Sequence, residues 1–380
     1  MMRRVLSAAL VVWLLGAPAV GLASDVPFFV DANASFDQFI QNPTPDQQAW
    51  MRAHYWRMLT YSPYFDSRLA WFPAAWVYKD LYAIYVGSNE ATTHPEWVLH
   101  DAAGNLLYIP FGCRNGTCPQ YAADVGNPDF RAQWIAEAST TMAAGYRGLY
   151  LDDVNLTLAR VSDGSGTPVV PLDPRTGQPM READWRSYLA DFTVQIRHAF
   201  STSEIVHNAL WDIGDADPSV QQEMAAADWL ALERGVNDRG IMGGGGVFGF
   251  DTFLGHIDFA HNIGRAVVFD AGARATAQRT YGLAVFFLIE GGTDGLGNEP
   301  GGTPNRWWTG YDVTLGAPTG FRYQWGALLR RDFGSGFVLV NPPGATPQRV
   351  TLNAPCRDLK GHSRTTVMLV PAGGAVLLCP

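Results

Sequence analysis

The sequence lacks an excess of positive charge. Among its 380 residues, 27 are Lys or Arg and 36 are Asp or Glu, which gives a net charge of −9. A nucleic-acid-binding domain needs a basic face that matches the phosphate backbone. We therefore predict no nucleic-acid partner. The acidic balance also argues mildly against a strongly anionic substrate.

Long apolar runs are absent after the N-terminus. A membrane-spanning helix needs about 18 or more apolar residues, and no segment beyond residue 23 has them. The first 23 residues combine a basic start, an apolar stretch over Val5–Val20 and small residues before Ser24. This pattern is typical of a signal peptide, which we exclude from the fold. It predicts an exported protein, periplasmic or secreted, without stable membrane insertion after cleavage; a retained anchor is the alternative.

Cysteine is scarce, and the chain has four. Cys113 and Cys118 flank a loop-like Arg-Asn-Gly-Thr segment, and Cys356 and Cys379 lie close to the C-terminus. Export permits disulfides, so we expect the pairs 113–118 and 356–379, although four cysteines allow three pairings. Zinc would need further Cys or His at ligand spacing. Since these are missing, we expect no metal.

A GxGxxG motif after the first strand is also missing, which argues against a dinucleotide-binding fold. Instead, short apolar runs alternate with helix-length amphipathic stretches, roughly eight times over about 270 residues, which favours a parallel (β/α)8 barrel. After Gly316 only short β-type runs remain. We predict an α/β chain with a (β/α)8 TIM barrel over 24–315, followed by a small C-terminal antiparallel β-sandwich domain over 316–380.

Several predicted barrel strands end in polar residues. The run Gly148–Leu151 stops at Asp152 and Asp153, and the run Trp229–Leu232 stops at Glu233. In such barrels the chemistry occurs at the carboxyl ends of the strands. Cleavage of a glycosidic bond needs one acid and a second carboxylate from another strand tip. Adjacent residues of a strand point to opposite faces, so we predict Asp152 and Glu233, not Asp152 and Asp153, as the catalytic pair.

Other side chains near the predicted barrel mouth are candidates for binding a sugar. Each has a structural alternative, as a turn carboxylate, a core aromatic or a residue packed between the two domains. The Gly-rich loop over 234–246, which follows Glu233, could cover a substrate. The candidate binding residues are Asp31, Tyr82, Tyr85, Asp153, Asn155, His207, Asn208, Asp270 and Trp307.

Four stretches, His94–Asn105, Ala123–Trp134, Gly145–Asn155 and Trp229–Gly235, resemble those of bacterial (β/α)8 glycoside hydrolases. More distantly, they resemble endo-α-1,4-polygalactosaminidase-like barrels. The resemblance implies that Asp152, after the fourth strand, is the nucleophile and that Glu233, after the sixth, is the acid/base. Those barrels place an acidic residue and a Pro before the Asp, whereas this chain has Tyr-Leu. Their substrate is therefore not carried over.

The leading hypothesis is an exported glycoside hydrolase with a carbohydrate substrate, no cofactor and an undetermined oligomeric state. A metal-dependent polysaccharide deacetylase also uses an Asp-Asp motif. It would need a His pair on one helical face, and His256 and His261 are five residues apart, which does not place them on one face. A non-catalytic carbohydrate-binding barrel is the third hypothesis. It would separate Asp152 and Glu233 by far more than about 10 Å, outside either catalytic spacing.

Overall fold

Eight parallel strands form a closed barrel in sequential order. The computed structural model describes residues 26–32, 37–209, 214, 216–233, 235–237, 249–297 and 302–380. The predicted signal peptide and most of the predicted covering loop lie outside these ranges. The predicted (β/α)8 barrel is confirmed. Its strands are β1 (Phe28–Asp31), β2 (Tyr55–Thr60), β3 (Ala75–Asp80), β4 (Gly148–Val154), β5 (Glu204–Ala209), β6 (Trp229–Leu232), β7 (Ala266–Asp270) and β8 (Gly295–Gly297).

Helices follow most of the strands. Three of them start with a Pro in the first turn, after a Thr44, Asn127 or Asp217 side chain that accepts a backbone N–H of that turn. These are strong start signals because Pro has no N–H to leave unsatisfied there. The longer helices are Pro45–His54, Pro128–Met142, Glu182–Ala199, Pro218–Ala226, Phe250–Asn262 and Thr276–Ile289, and the short ones are Asp37–Ile40 and Asn89–Thr93.

Two strands lie elsewhere than the sequence pattern predicts. The pattern favours one helix over 47–60, but the helix ends at His54 and β2 begins at Tyr55. It also favours a strand over 81–86 in the barrel. That segment instead pairs Ala83–Tyr85 with Gln120–Ala122 in a separate antiparallel ribbon. The segments β2 and β3 read YWRMLT and AWVYKD, so large aromatics and charges hide their alternation.

Alternate residues of each strand face the barrel interior, as the strand period of two requires. A cluster of interior side chains, including Trp76, Tyr150 and Val206, fills the middle. At the amino end, Glu204 accepts from Arg57 Nη2 (2.6 Å), Trp76 Nε1 (2.7 Å) and Arg147 Nε (2.9 Å). The next interior residue of each strand, two positions further along, lies at the carboxyl end of the barrel. These residues are polar.

The predicted C-terminal antiparallel β-domain is confirmed. Its strands are β9 (Tyr323–Trp325), β10 (Leu328–Phe333), β11 (Gly336–Asn341), β12 (Gln348–Arg357), β13 (Ser363–Leu369) and β14 (Gly373–Leu378), in the order β9-β10-β11-β14-β12-β13. The β12–β13 hairpin pairs with β14 at Arg357–Leu378. Residues from both parts, such as Leu339 and Val350, share a small apolar core. The β9 and β10 strands were not expected from the sequence.

The sheet packs against the last barrel helix, Thr276–Ile289. All residues of this helix from Tyr281 onwards are buried. Gly374 of β14 lies so close that a side chain there would meet Ala284 Cβ at 2.7 Å. The Arg331 guanidinium of β10 donates to the carbonyls of Phe287 (3.1 Å) and Glu290 (2.7 Å) at the helix end. The apolar helix is therefore covered on its outer side by the β-domain.

Both expected disulfides form, Cys113–Cys118 and Cys356–Cys379. The first closes a loop that lies above the barrel, and the second ties β12 to the end of β14. Two disulfides are typical of proteins from oxidising compartments. None of the described helices combines the length and the apolar character that crossing a bilayer requires.

Candidate active site

A cavity of about 610 Å³ opens at the carboxyl ends of the barrel strands. This size lies within the range of about 300–1,000 Å³ found for small-molecule sites. Five carboxylates line it, and Arg160 is the only cation among the described lining residues. The other lining side chains are mostly aromatic or amide. The carboxylates are Asp31, Asp80, Asp152, Asp153 and Glu233.

Asp152, Asn208 and Glu233 are interior residues at the carboxyl ends of three neighbouring strands, β4, β5 and β6. Asn208 Nδ2 donates to Asp152 Oδ1 at 2.8 Å and to Glu233 Oε2 at 3.0 Å. Because both oxygens contact one nitrogen, they are at most about 6 Å apart. Carboxyl groups about 5–5.5 Å apart suit a retaining glycosidase, whereas about 6.5–9.5 Å suits an inverting one.

Asp153 lies in the cavity together with Asp152, so the expectation that they face opposite sides is wrong. The register between β4 and β5 shifts between Leu151 and Val154, and Asp153 has φ 56°. Such a bulge inserts one residue and breaks the alternation of side chains. Burial, together with the charges of Asp152 and Asp80, raises the pKa of Asp153 to about 7.

Sequence reasoning missed Asp80 and Tyr78. Both belong to β3, but the sequence pattern placed the barrel strand at 81–86, after these residues. Once β3 is assigned to Ala75–Asp80, Asp80 is a carboxylate at a strand tip, as Asp152 is. Tyr78 Oη contacts Asp80 Oδ1 at 2.7 Å and Asp152 Oδ2 at 2.5 Å. Tyr85 donates to Asp80 Oδ2 at 2.6 Å. Burial raises the pKa of Asp80 above its usual value.

Six of the predicted site residues line this cavity. Tyr85, predicted as a binding residue, is half exposed and reaches the cavity through its bond to Asp80. Asn155 Nδ2 donates to Asp153 Oδ1 at 2.9 Å, which fixes the bulge residue. The six lining residues are Asp31, Asp152, Asp153, Asn155, Asn208 and Glu233.

Three predicted binding residues lie away from the cavity. Tyr82 is fully buried, and its hydroxyl donates to the Arg160 carbonyl at 3.2 Å. His207 is fully buried on the outer face of β5, with Nδ1 at 2.6 Å from Glu223, because it alternates with Asn208. Trp307 packs edge-on against Phe28, the first residue of β1, at the opposite end of the barrel. These three assignments as cavity residues are wrong.

Asp270 is the interior residue at the tip of β7. Its Oδ1 accepts the Gly272 N–H at 2.6 Å. This is the structural alternative to sugar binding, a carboxylate that holds a turn. It is not among the described residues that line the cavity. Its binding role stays a prediction.

An exposed aromatic does reach the cavity, but it is Phe111 rather than the predicted Trp. Phe111 is 71% exposed and lines the cavity beside Ile109 and Pro110. It lies two residues before Cys113, so the Cys113–Cys118 disulfide closes the loop next to it. A flat apolar ring at a polar rim suits stacking on a sugar face. The sequence signal was the short disulfide loop, which had no assigned function.

Asp80, Asp152 and Asp153 are the one group found among the described residues whose side chains could hold a metal ion, with carboxylate oxygens within 4.8 Å of one another. An all-carboxylate set suits Mg²⁺ or Ca²⁺ rather than Zn²⁺. Hydrogen-bond donors already face these oxygens: Tyr78 and Asn208 for Asp152, and Tyr85 for Asp80. The cluster by itself therefore does not indicate a metal.

The fold and the cavity together define a (β/α)8-barrel protein with an acidic cleft at the usual catalytic end. No protein-family model matches the chain, and no curated protein matches it either.

Among solved structures, the chain is similar to a GH36 α-galactosidase, AgaA from Geobacillus stearothermophilus. The TM-score is 0.50 at 11% identity over 93% of this chain, which spans 55% of the galactosidase. An AgaA variant in complex with stachyose gives 0.51. The glycoside hydrolase domain of PelA from Pseudomonas aeruginosa gives 0.44 at 14% identity, over 75% of this chain and 97% of that domain. At these identities the AgaA likeness shows the barrel fold alone.

Proposed function

We propose that the protein is an exported glycoside hydrolase that cleaves O-glycosidic bonds of a poly- or oligosaccharide. One observation carries this proposal: Asp152 and Glu233 share the Asn208 amide in a cavity of about 610 Å³. Two carboxylates at this spacing beside an open cavity are what glycoside hydrolysis requires.

Asp152 is the nucleophile in this proposal. Its Oδ1 accepts from Asn208 Nδ2 and from the Asp153 backbone N–H, both at 2.8 Å, and its Oδ2 contacts Tyr78 at 2.5 Å. Donors that bind the charged form favour it over the protonated form. These contacts orient Asp152 beside the cavity.

Glu233 is the acid/base. It protonates the leaving oxygen while an Asp152 oxygen bonds to the anomeric carbon and the glycosidic bond breaks. Glu233 then takes a proton from water, the water oxygen bonds to the anomeric carbon, and Asp152 leaves as a carboxylate. Both residues end in their starting protonation states, so no cofactor is consumed.

The acidic lining favours neutral or positively charged sugars, because a uronic or sulfated sugar would meet five acidic side chains and one Arg. Asp31 and Asn155 are proposed to bind sugar hydroxyls, and Phe111 is proposed to stack on a ring at the rim. The rival deacetylase reading is disfavoured because no His is among the described lining residues. The close carboxylate pair disfavours a non-catalytic barrel.

Release of reducing ends from a panel of polysaccharides, by the mature protein over 24–380, tests the proposal. Asp152→Asn and Glu233→Gln are each expected to lower kcat by at least about 100-fold. Asp129→Asn, an exposed carboxylate on the Pro128–Met142 helix, is the matched control and keeps activity. Glycan binding without hydrolysis in all four proteins would instead support a binding barrel.

A further inference from the structure

The hydroxyl of Tyr78 lies between two carboxylates. Its oxygen is 2.7 Å from Asp80 Oδ1 and 2.5 Å from Asp152 Oδ2. A phenol has one proton and can donate to one of these oxygens. Burial and the two neighbouring carboxylates raise the pKa of Tyr78 above its usual value, so the phenol keeps that proton.

The second contact needs a second proton. If Asp80 and Asp152 were both ionised, one carboxylate oxygen would face the lone pairs of the phenol without a hydrogen between them. The same two carboxylates and Asp153 also lie with their oxygens within 4.8 Å of one another. Like charges at this spacing do not all ionise. Both contacts of the Tyr78 oxygen are hydrogen bonds if one of the two flanking carboxyls is protonated and donates to it.

The surroundings assign that proton to Asp80. Apart from Tyr78, each carboxyl has two donors on its other oxygen: Asn208 and the Asp153 N–H on Asp152 Oδ1, both at 2.8 Å, and Tyr85 at 2.6 Å and Gln120 at 3.3 Å on Asp80 Oδ2. The two carboxyls differ in burial, since Asp80 is only 7% exposed whereas Asp152 is half-buried. Burial disfavours the charged form of a carboxyl, so Asp80 is the one that holds the proton. Oδ2 then acts as the carbonyl oxygen. Oδ1 carries the proton and donates it to Tyr78, which satisfies every contact.

We propose that Asp80 is a neutral carboxylic acid in the resting protein and that it acts as a positioning residue. It directs the Tyr78 hydroxyl proton onto Asp152. The chain runs from Asp80 Oδ1–H to Tyr78 Oη and from Tyr78 Oη–H to Asp152 Oδ2. The role in catalysis rests on the proposed function of Asp152, whereas the protonation of Asp80 does not.

The chain has a defined part in the reaction. Asp152 loses its charge when it bonds to the anomeric carbon and regains it when the glycosyl–enzyme bond breaks. A donor fixed on Asp152 Oδ2 stabilises the departing carboxylate at that second step. No net proton transfer along the chain is required, since Asp80 and Tyr78 hold the same protons before and after.

Ionisable groups from neighbouring segments face Asp80 and affect its proton. They are Asp152 and Asp153 of β4, Tyr61 after β2, Tyr85 of the ribbon strand, and Tyr78 and Lys79 of β3 itself. Lys79 favours an ionised Asp80, but its ammonium pairs with Glu137 at 3.1 Å on the outer side of the barrel. The two β4 carboxylates oppose a charge on Asp80.

The first test needs no substrate. Infrared difference spectra of the whole mature protein, wild type minus Asp80→Asn at neutral pH, are expected to contain the carbonyl stretch of a protonated carboxylic acid. Wild type minus Asp129→Asn is the matched control and should contain carboxylate bands instead. Carboxylate bands in the Asp80→Asn difference would overturn the proposal. This result stands whether or not the protein hydrolyses a glycan.

The second test compares Asp80→Asn with Asp80→Ala on whichever glycan the wild type cleaves. The Asn amide can donate to Tyr78 and accept from Tyr85, as a neutral acid does, whereas Ala does neither. We expect kcat of Asp80→Asn to exceed that of Asp80→Ala by about tenfold or more, with similar KM values. Equal losses of kcat in both folded variants would overturn the positioning role. A wild type without hydrolytic activity would overturn both the proposed function and this role.

Discussion

Asp152 and Glu233 approach a single amide nitrogen from two sides, Asp152 at 2.8 Å and Glu233 at 3.0 Å. The shared nitrogen belongs to Asn208, on the strand tip between theirs. One oxygen of each carboxyl is therefore within about 6 Å of the other, which favours the shorter, retaining spacing over the inverting one.

Hydrolysis is expected to retain the anomeric configuration. Proton NMR during the first minutes of the reaction would detect the newly formed anomer before it equilibrates in water. An initial product of the opposite configuration would contradict the roles assigned to the pair, because a water molecule would then have attacked in place of Asp152.

Asn208→Ala is expected to lower kcat by about 10- to 100-fold, since a positioning donor contributes less than a reacting group. Without the amide, the spacing between the Asp152 and Glu233 carboxyl groups is no longer fixed. Asn341→Ala, which alters a buried amide of the β-domain, is the matched control for loss of stability. Activity kept by Asn208→Ala would contradict the bridging role.

Phe111→Ala is expected to raise KM for long oligosaccharides by about tenfold while kcat changes little. The ring lies at the rim and stacks on a sugar that is not cleaved, with a contribution of order 1 kcal/mol for an aromatic contact. Phe321→Ala, at a 93% exposed residue before β9, is the control. The same KM increase for the shortest cleaved substrate would place Phe111 beside the scissile bond instead.

Glu204→Gln is expected to lower the free energy of unfolding by about 3 kcal/mol near neutral pH, because it leaves Arg57 without its buried partner. Donors from Arg57, Arg147 and Trp76 outweigh burial and lower the pKa of Glu204. A lowered pKa gives stability that is present above the unfolded value, about 4.3, and is lost as pH falls through the folded value.

Urea unfolding of wild type and Glu204→Gln, at neutral pH and at a series of acidic pH values, checks this. The difference between the two proteins should shrink only as the pH falls below the ordinary Glu range. A difference that stays constant down to strongly acidic pH would mean that Glu204 contributes to stability through packing rather than through its charge.

Strand tips were predictable where an apolar run ends abruptly in an acid. The segments before Asp152 and Glu233 are of this kind, and both side chains line the cavity. The rule failed at Asp80, since AWVYKD has no apolar run. It also placed Asp153 on the wrong face. A bulge depends on the pairing between β4 and β5, which a single segment does not reveal.

Aromatic residues were the least predictable. Trp307, Tyr82 and Phe111 lie in three different places: Trp307 packs at the far end of the barrel, Tyr82 is buried behind the cavity and Phe111 lies at its rim. Which of these occurs depends on long-range packing. For Phe111, it also depends on the loop closed by Cys113 and Cys118.

The helix Thr276–Ile289 has no polar face from Tyr281 to its end, and the β-domain covers it. A chain cut between 315 and 316 would expose this helix to water, so the barrel alone is expected to aggregate although every cavity residue is present. The barrel is thus expected to need the β-domain in order to stay in solution. A chimera that exchanges it for another module would need an equally apolar surface with a small residue opposite Ala284.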